Sequence, residues 1–127
     1  MLRSGILNPQ VNSLLSRVRH TNTLVIADRG FPFWPQVEIV DLSLVDDVPT
    51  VLDVLKAVVP NFSIGQAWMA SEFKQHNDEE LQKSFTGLLP GLTFEPHDAF
   101  KRRVPSAIGL IRSAGTAQYS NVILQSA

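Results

Sequence analysis

The run Thr23-Leu24-Val25-Ile26-Ala27 constrains this chain more than any other segment. Short, β-branched and continuously apolar, it has no polar face to show to water, which is the signature of a strand buried on both faces. Such a strand calls for a sheet covered by helices. Asp28 ends the run, and the stretch before it reads as a helix: Asn8 as N-cap, Pro9 at the first helical position, then Val11, Leu14, Leu15 and Val18 at helical spacing. That helix is expected to end near His20. A helix ending in His, followed by a strand ending in Asp, would bring two titratable groups to one rim of an α/β sheet, where ligands bind.

The same alternation continues along the chain. Gly30, Pro32 and Pro35 enforce a loop carrying Phe31, Phe33 and Trp34, and residues 37–42 read as the second strand. After a turn at Asp46-Asp47, Thr50 and Asp53 have capping-box spacing ahead of a helix through Val51, Leu52, Leu55, Val58 and Val59, stopped by Pro60. Residues 67–70 form a third strand. Asn77-Asp78-Glu79-Glu80 opens a helix with Leu81, Phe85, Leu88 and Leu89 on its apolar face, ended by Pro90-Gly91. Residues 92–95 give a short strand, 97–103 a short helix, and 107–111 and 121–125 two last strands. The expectation is one α/β domain over residues 1–127: three layers, with a mixed, largely parallel sheet flanked by helices.

Composition removes several function classes. With 11 basic and 12 acidic residues the net charge is -1, so nothing draws the whole molecule to nucleic acid or anionic lipid. The absence of cysteine excludes disulfides and thiolate zinc sites. No apolar run approaches the ~20 residues of a membrane span, and the N-terminus lacks a signal-peptide core, so a soluble cytoplasmic protein is expected.

Three histidines are present, His20, His76 and His97, and no two have metal-ligand spacing, so no metal site is expected. At a helix C-terminus His20 would suit proton transfer near neutral pH, or would simply complement the helix dipole. Asp28 would bind hydroxyls or orient a histidine, or would cap the turn at Arg29-Gly30. His97 is a cap or a pocket residue, and His76-Asn77 more simply starts a helix. Tyr119-Ser120-Asn121 offers neutral donors and acceptors suited to a polyol, although turn chemistry is the stronger reading for Ser120. Arg112 and Lys74 are candidate phosphate contacts, but no glycine-rich cradle accompanies them.

Taken in order, Gly5-Ile6-Leu7-Asn8, His20-Thr21-Asn22-Thr23, Val25-Ile26-Ala27-Asp28, Phe31-Pro32, Val48-Pro49-Thr50, Glu72-Phe73-Lys74-Gln75-His76-Asn77, His97-Asp98-Ala99-Phe100-Lys101 and Tyr119-Ser120-Asn121-Val122-Ile123-Leu124 resemble the D-ribose pyranase and L-fucose mutarotase family over essentially the whole chain. The resemblance implies a cofactor-free isomerase that interconverts cyclic forms of ribose, fucose or a related aldose through ring opening. It makes His20 the catalytic proton donor and Asp28, His97, Tyr119 and Asn121 the sugar contacts. It also implies ring-shaped homo-oligomers, often decamers of two stacked pentamers, with sites at subunit boundaries.

Opening a hemiacetal needs one proton delivered to the ring oxygen and another removed from the anomeric hydroxyl, with no metal or redox step, which agrees with the residues read alone. The chain departs from the family pattern at Arg29, where a small residue is common, at Ala114-Gly115 in place of glycine-glutamate, and at Gln118 in place of proline. These departures bear on the choice of sugar. They also leave a second reading, a non-catalytic sugar-binding or regulatory protein of sugar uptake. The aromatic loop would face either the sugar or a neighbouring subunit, and interface composition favours the neighbour.

Overall fold

In a computed structural model describing residues 1–127, β1 (Thr23–Ala27) lies in the middle of the molecule with Leu24 and Ile26 on one face and Val25 and Ala27 on the other. All four are fully buried, as a run without polar side chains requires. Five more strands complete one sheet: β2 (Ile39–Asp41), β3 (Ile64–Ala70), β4 (Thr93–Glu95), β5 (Gly109–Arg112) and β6 (Val122–Ser126). Their order is β2-β5-β1-β6-β3-β4. β6 is antiparallel to both β1 and β3, and every other pairing is parallel, so β6 alone runs against the rest. The mixed, largely parallel sheet is therefore as expected.

Helices cover both faces unequally. On one side α1 (Pro9–Arg17), α2 (Val51–Val58), α3 (Glu72–His76) and α4 (Glu79–Leu88) bury Val11, Leu14, Val54, Leu55, Phe73 and Phe85 against Leu24, Ile26, Met69, Ile111, Val122 and Leu124. On the other, α5 (His97–Arg103) sets Phe100, with Val104 behind it, on Val25, Ala27, Leu110 and Ile123. Local capping follows the sequence closely. The Asn8 side chain accepts the Val11 N–H at 2.9 Å, and Thr50 and Asp53 form a reciprocal capping box with both bonds at 3.0 Å. No helix is long and apolar enough to cross a membrane.

Two expectations fail locally. α1 stops at Arg17, not near His20, because Val18 turns extended and Asn22 Oδ1 takes the Arg19 N–H at 2.8 Å, making a turn that Thr21 completes with φ +66°. His20 sits exposed in this turn, beyond the helix and its dipole. Likewise His76 ends a helix instead of starting one. Asn77 takes an extended backbone after α3, and Asp78 caps α4 by accepting the Leu81 N–H at 2.9 Å. At five residues α3 is too short to show a periodicity in sequence.

α1 reaches the sheet only because position 109 has no side chain. A Cβ there would lie 2.5 Å from Leu14 Cδ1, and Leu14 is itself fully buried. Gly109→Ala is expected to cost about 1–3 kcal/mol by overpacking, and Leu14→Ala about 2–5 kcal/mol through the cavity it leaves. Their combination should cost less than the sum, since each change relieves the other. Urea denaturation of the three variants checks this.

Candidate functional site

Because β6 is reversed, its first residues meet the last residues of its parallel neighbours at one rim of the sheet. There Asp28, Gly30, Phe31, Pro32, His97, Gln118, Tyr119 and Asn121 line an open pocket of about 310 Å³. Asp28 follows β1, His97 opens α5 just after β4, and Tyr119 and Asn121 precede β6. Asn121, almost wholly buried, accepts the Asp28 N–H on its Oδ1 at 2.7 Å and so joins the two central strands at the pocket floor. The Asp28 Oδ1 in turn accepts the Gly30 N–H at 3.0 Å.

Arg112, at the end of β5, holds the loop from outside the pocket. Its guanidinium donates to the carbonyl oxygens of Asp28 at 3.2 Å, Arg29 at 3.3 Å and Pro32 at 3.4 Å. Burial pushes the Asp28 carboxyl above the ordinary aspartate range, against hydrogen bonding from Gly30, Asn121 and Phe31 and the opposing charge of Arg112. The same dry surroundings push His97 the other way. Burial, aided by Lys101, lowers its pKa against the charges of Glu72, Asp98 and Asp28, which favours the uncharged imidazole. Its Nδ1 is buried without a partner, and the residue lines the pocket.

The His97 ring stacks on Phe100 and meets Phe31 and Tyr119 edge to face, with centroids 6.4 and 5.1 Å away. Tyr119 adopts φ +56°, a backbone state that costs a bulky residue of order 1–3 kcal/mol and persists only where its surroundings hold it. The pocket thus offers one carboxyl group, one imidazole, one phenol and two amides, those of Gln118 and Asn121, around the apolar surfaces of Phe31 and Pro32. These are partners for a small ligand rich in hydroxyls. No group of three or more His, Asp or Glu side chains is disposed to hold a metal ion.

Of the residues singled out by sequence, Asp28, His97, Tyr119 and Asn121 come together and two do not. His20 and Asp28 flank opposite ends of β1, which at strand rise alone separates them by about 13 Å, so the expectation of a shared rim is wrong. A strand carries the chain from one edge of the sheet to the other, and residues before and after it cannot meet. Ser120 is buried and donates its hydroxyl to the Ala117 carbonyl at 2.9 Å, the turn role, away from the pocket. Arg29 points away too, onto Asp46 at 2.6 Å, so this departure leaves the pocket open.

The aromatic loop divides. Phe31 is buried in this chain's own core and walls the pocket, Trp34 stacks on it at 6.3 Å, and only Phe33 stands exposed, so an interface role for all three does not hold. Arg112 and Lys74 are no phosphate contacts here. Arg112 spends its donors on carbonyls, and the Lys74 ammonium lies 3.9 Å over the Phe94 ring. Gln118, singled out in sequence only as a departure from the family pattern, lines the pocket beside Tyr119, whereas the clamp by Arg112 had no signal in sequence.

A polar pocket of this make-up, at the carboxyl rim of an open α/β sheet, has the chemistry to take a small polyol. The model of the RbsD / FucU transport protein family matches residues 1–127. The chain is similar to a D-ribose pyranase of Geobacillus kaustophilus, 40% identical over 99% of this chain and 93% of that protein, and to one of Escherichia coli, 32% identical over 98% and 96%. Among solved structures it resembles Bacillus subtilis RbsD complexed with D-ribose, with a TM-score of 0.92, 30% identity, and coverage of 99% of this chain and 97% of that one. A fucose mutarotase from Streptococcus pneumoniae in complex with L-fucose shares the fold at a TM-score of 0.82 and 15% identity, with 98% and 97% covered. The chain belongs to the RbsD / FucU family.

The raised pKa of Asp28 has a thermodynamic sign. A carboxyl that titrates higher folded than unfolded destabilises the fold once ionised: the penalty is absent below the unfolded pKa and grows as pH rises through the folded one. Asp28→Asn, which keeps the acceptor for Gly30, is therefore expected to melt above the unsubstituted protein at pH 7. The difference should close below pH 4; an equal gap at both pH values would contradict it.

Proposed function

We propose that this protein is a cofactor-free sugar isomerase that interconverts the cyclic forms of a free aldose, with ribose as the leading substrate, and that it works in the cytoplasm as a ring-shaped oligomer. The observation that carries the reading is the convergence of Asp28, His97, Tyr119 and Asn121, from three distant segments, on one hydroxyl-binding pocket. Ribose leads because the similar proteins are named D-ribose pyranases and because the chain is 30% identical to an RbsD that binds D-ribose.

In this reaction Asp28, Tyr119 and Asn121 hold the sugar hydroxyls. His20, as the general acid, delivers a proton to the ring oxygen as the C1–O bond breaks. The anomeric hydroxyl gives its proton to Nε2 of His97 and becomes the aldehyde carbonyl, so charge and atoms balance. Rotation about the freed carbon chain and reclosure through the same or another hydroxyl return both protons and yield the other anomer or ring size. A neutral His97 beside a carboxylate suits the accepting role.

His20 of the same chain lies at the far edge of the sheet, so the reading requires a second copy to supply it. Support comes from the exposure of His20 and from the exposed apolar side chains Leu7, Phe33, Leu44, Val45 and Val48, the kind of surface that neighbouring subunits cover.

Saturation-transfer NMR on a panel of pentoses and hexoses tests the activity, with accelerated exchange of ribose expected and no accelerated sugar as the contrary result. His20→Ala and His97→Ala are each expected to abolish exchange. Co-expressed in equal amounts they should regain activity at about a quarter of the sites, because each variant supplies what the other lacks. A co-expressed sample that stays inactive would refute a site shared between copies.

A further inference from the structure

The motif Glu72-Phe73-Lys74-Gln75-His76-Asn77 lines no part of the sugar pocket, yet two of its side chains bond directly to the backbone that carries the pocket's functional groups. α5 begins at His97, and Pro96 before it has no side chain able to cap the helix. Both carboxylate oxygens of Glu72, reaching from the start of α3, lie 3.1 Å from the His97 N–H and fill that role. At the other end of α3, Asn77 Nδ2 donates to the carbonyl oxygens of Phe73 and Gln118, both at 2.9 Å. Gln118 is the residue before Tyr119, whose φ of +56° needs outside support.

The segment is itself held rigidly. Phe73 is fully buried with its ring 4.9 Å from that of Phe85, and the Gln82 amide ties α4 to the carbonyls of Lys74 at 3.1 Å and Asn77 at 2.9 Å. His76 donates from Nδ1 to the Glu72 carbonyl at 2.9 Å and lays its ring 5.0 Å from that of Tyr119, which the His97 ring meets at 5.1 Å.

We propose that α3 and Asn77 form the positioning element of the sugar site, Glu72 setting the place of His97 and Asn77 setting the turn that presents Tyr119. This rests on the isomerase reading for its kinetic consequences, not for its geometry. Because Glu72 acts through the proton acceptor and Asn77 through a sugar contact, their losses fall on different constants. Glu72→Ala is expected to lower kcat about 10- to 100-fold, as a displaced catalytic group does, with KM little changed. Glu72→Gln keeps an acceptor for the His97 N–H and should retain most of kcat. Asn77→Asp keeps the shape but turns an acceptor toward two carbonyls, and should raise KM more than it lowers kcat.

A readout without sugar separates this proposal from the reading it rests on. The charged and titratable groups facing His97 are Glu72 from α3, Asp98 and Lys101 from α5, Asp28 from the end of β1, and Tyr119. Glu72→Gln removes one of the anions that hold His97 up, so the NMR inflection of the His97 ring should move to lower pH than in the unsubstituted protein, while Glu72→Asp should not move it that way. Unchanged kcat, KM and His97 resonances in Glu72→Ala would overturn the proposal. If that variant does not fold, an unmoved His97 inflection in Glu72→Gln overturns it instead; Asn77→Ala replaces Asn77→Asp on the same terms. Should the unsubstituted protein accelerate no sugar, the isomerase reading fails and the His97 inflection alone decides positioning.

Discussion

The antiparallel seat of β6 between β1 and β3 is the constraint on which the rest depends. In a fully parallel sheet the carboxyl rim receives only strand ends. Reversing one central strand brings that strand's beginning to the same rim, so Asn121 starts β6 beside the point where Asp28 leaves β1, and the bond from the Asp28 N–H to the Asn121 amide locks the junction. The register that pairs Ile26 with Val122 makes this contact unavoidable. A slip by one residue would turn Ile123 out of one core and into the other and would carry Asn121 away from Asp28.

Burial at that rim then acts in opposite directions on two groups. It raises the Asp28 carboxyl and lowers the His97 imidazole, because in each case the charged form loses water. Both shifts favour the uncharged form, and the two groups share one pocket, with Phe31 and Phe100 supplying the dry walls. Chemistry that moves protons among hydroxyls near pH 7 needs groups of this kind. The pocket owes its properties as much to the aromatic packing behind His97 as to the polar atoms in front of it.

Coverage of the sheet is uneven. Four helices bury one face, whereas α5 and the loop around Phe31 and Trp34 cover the other, and apolar side chains remain exposed at Phe33 and along Leu44, Val45 and Val48. His20 lies at the edge remote from the pocket. In the proposed enzyme, a proton donor and sugar contacts at opposite edges of one chain would form a complete site only by repetition, which would tie activity to oligomer formation.

Residues 23–27, the caps at Asn8 and Thr50, and the order of the strands and of every helix except α3 were legible because each depends on neighbours in sequence: apolar content, capping spacing, proline and glycine. Asp28, His97, Tyr119 and Asn121 were legible as candidates through their motifs. Their convergence was not, since nothing local says that β6 runs backwards, and neither was the exclusion of Ser120, whose hydroxyl turns inward to Ala117. His20 was misplaced for a local reason: the turn made by Asn22 and Thr21 competes with the helix over an energy that apolar spacing does not register. The sequence by itself determined the kinds of elements and the chemistry available to them, because propensity and side-chain chemistry are local. Strand order, direction and long-range hydrogen bonds decided which groups meet, because those depend on how distant segments pack.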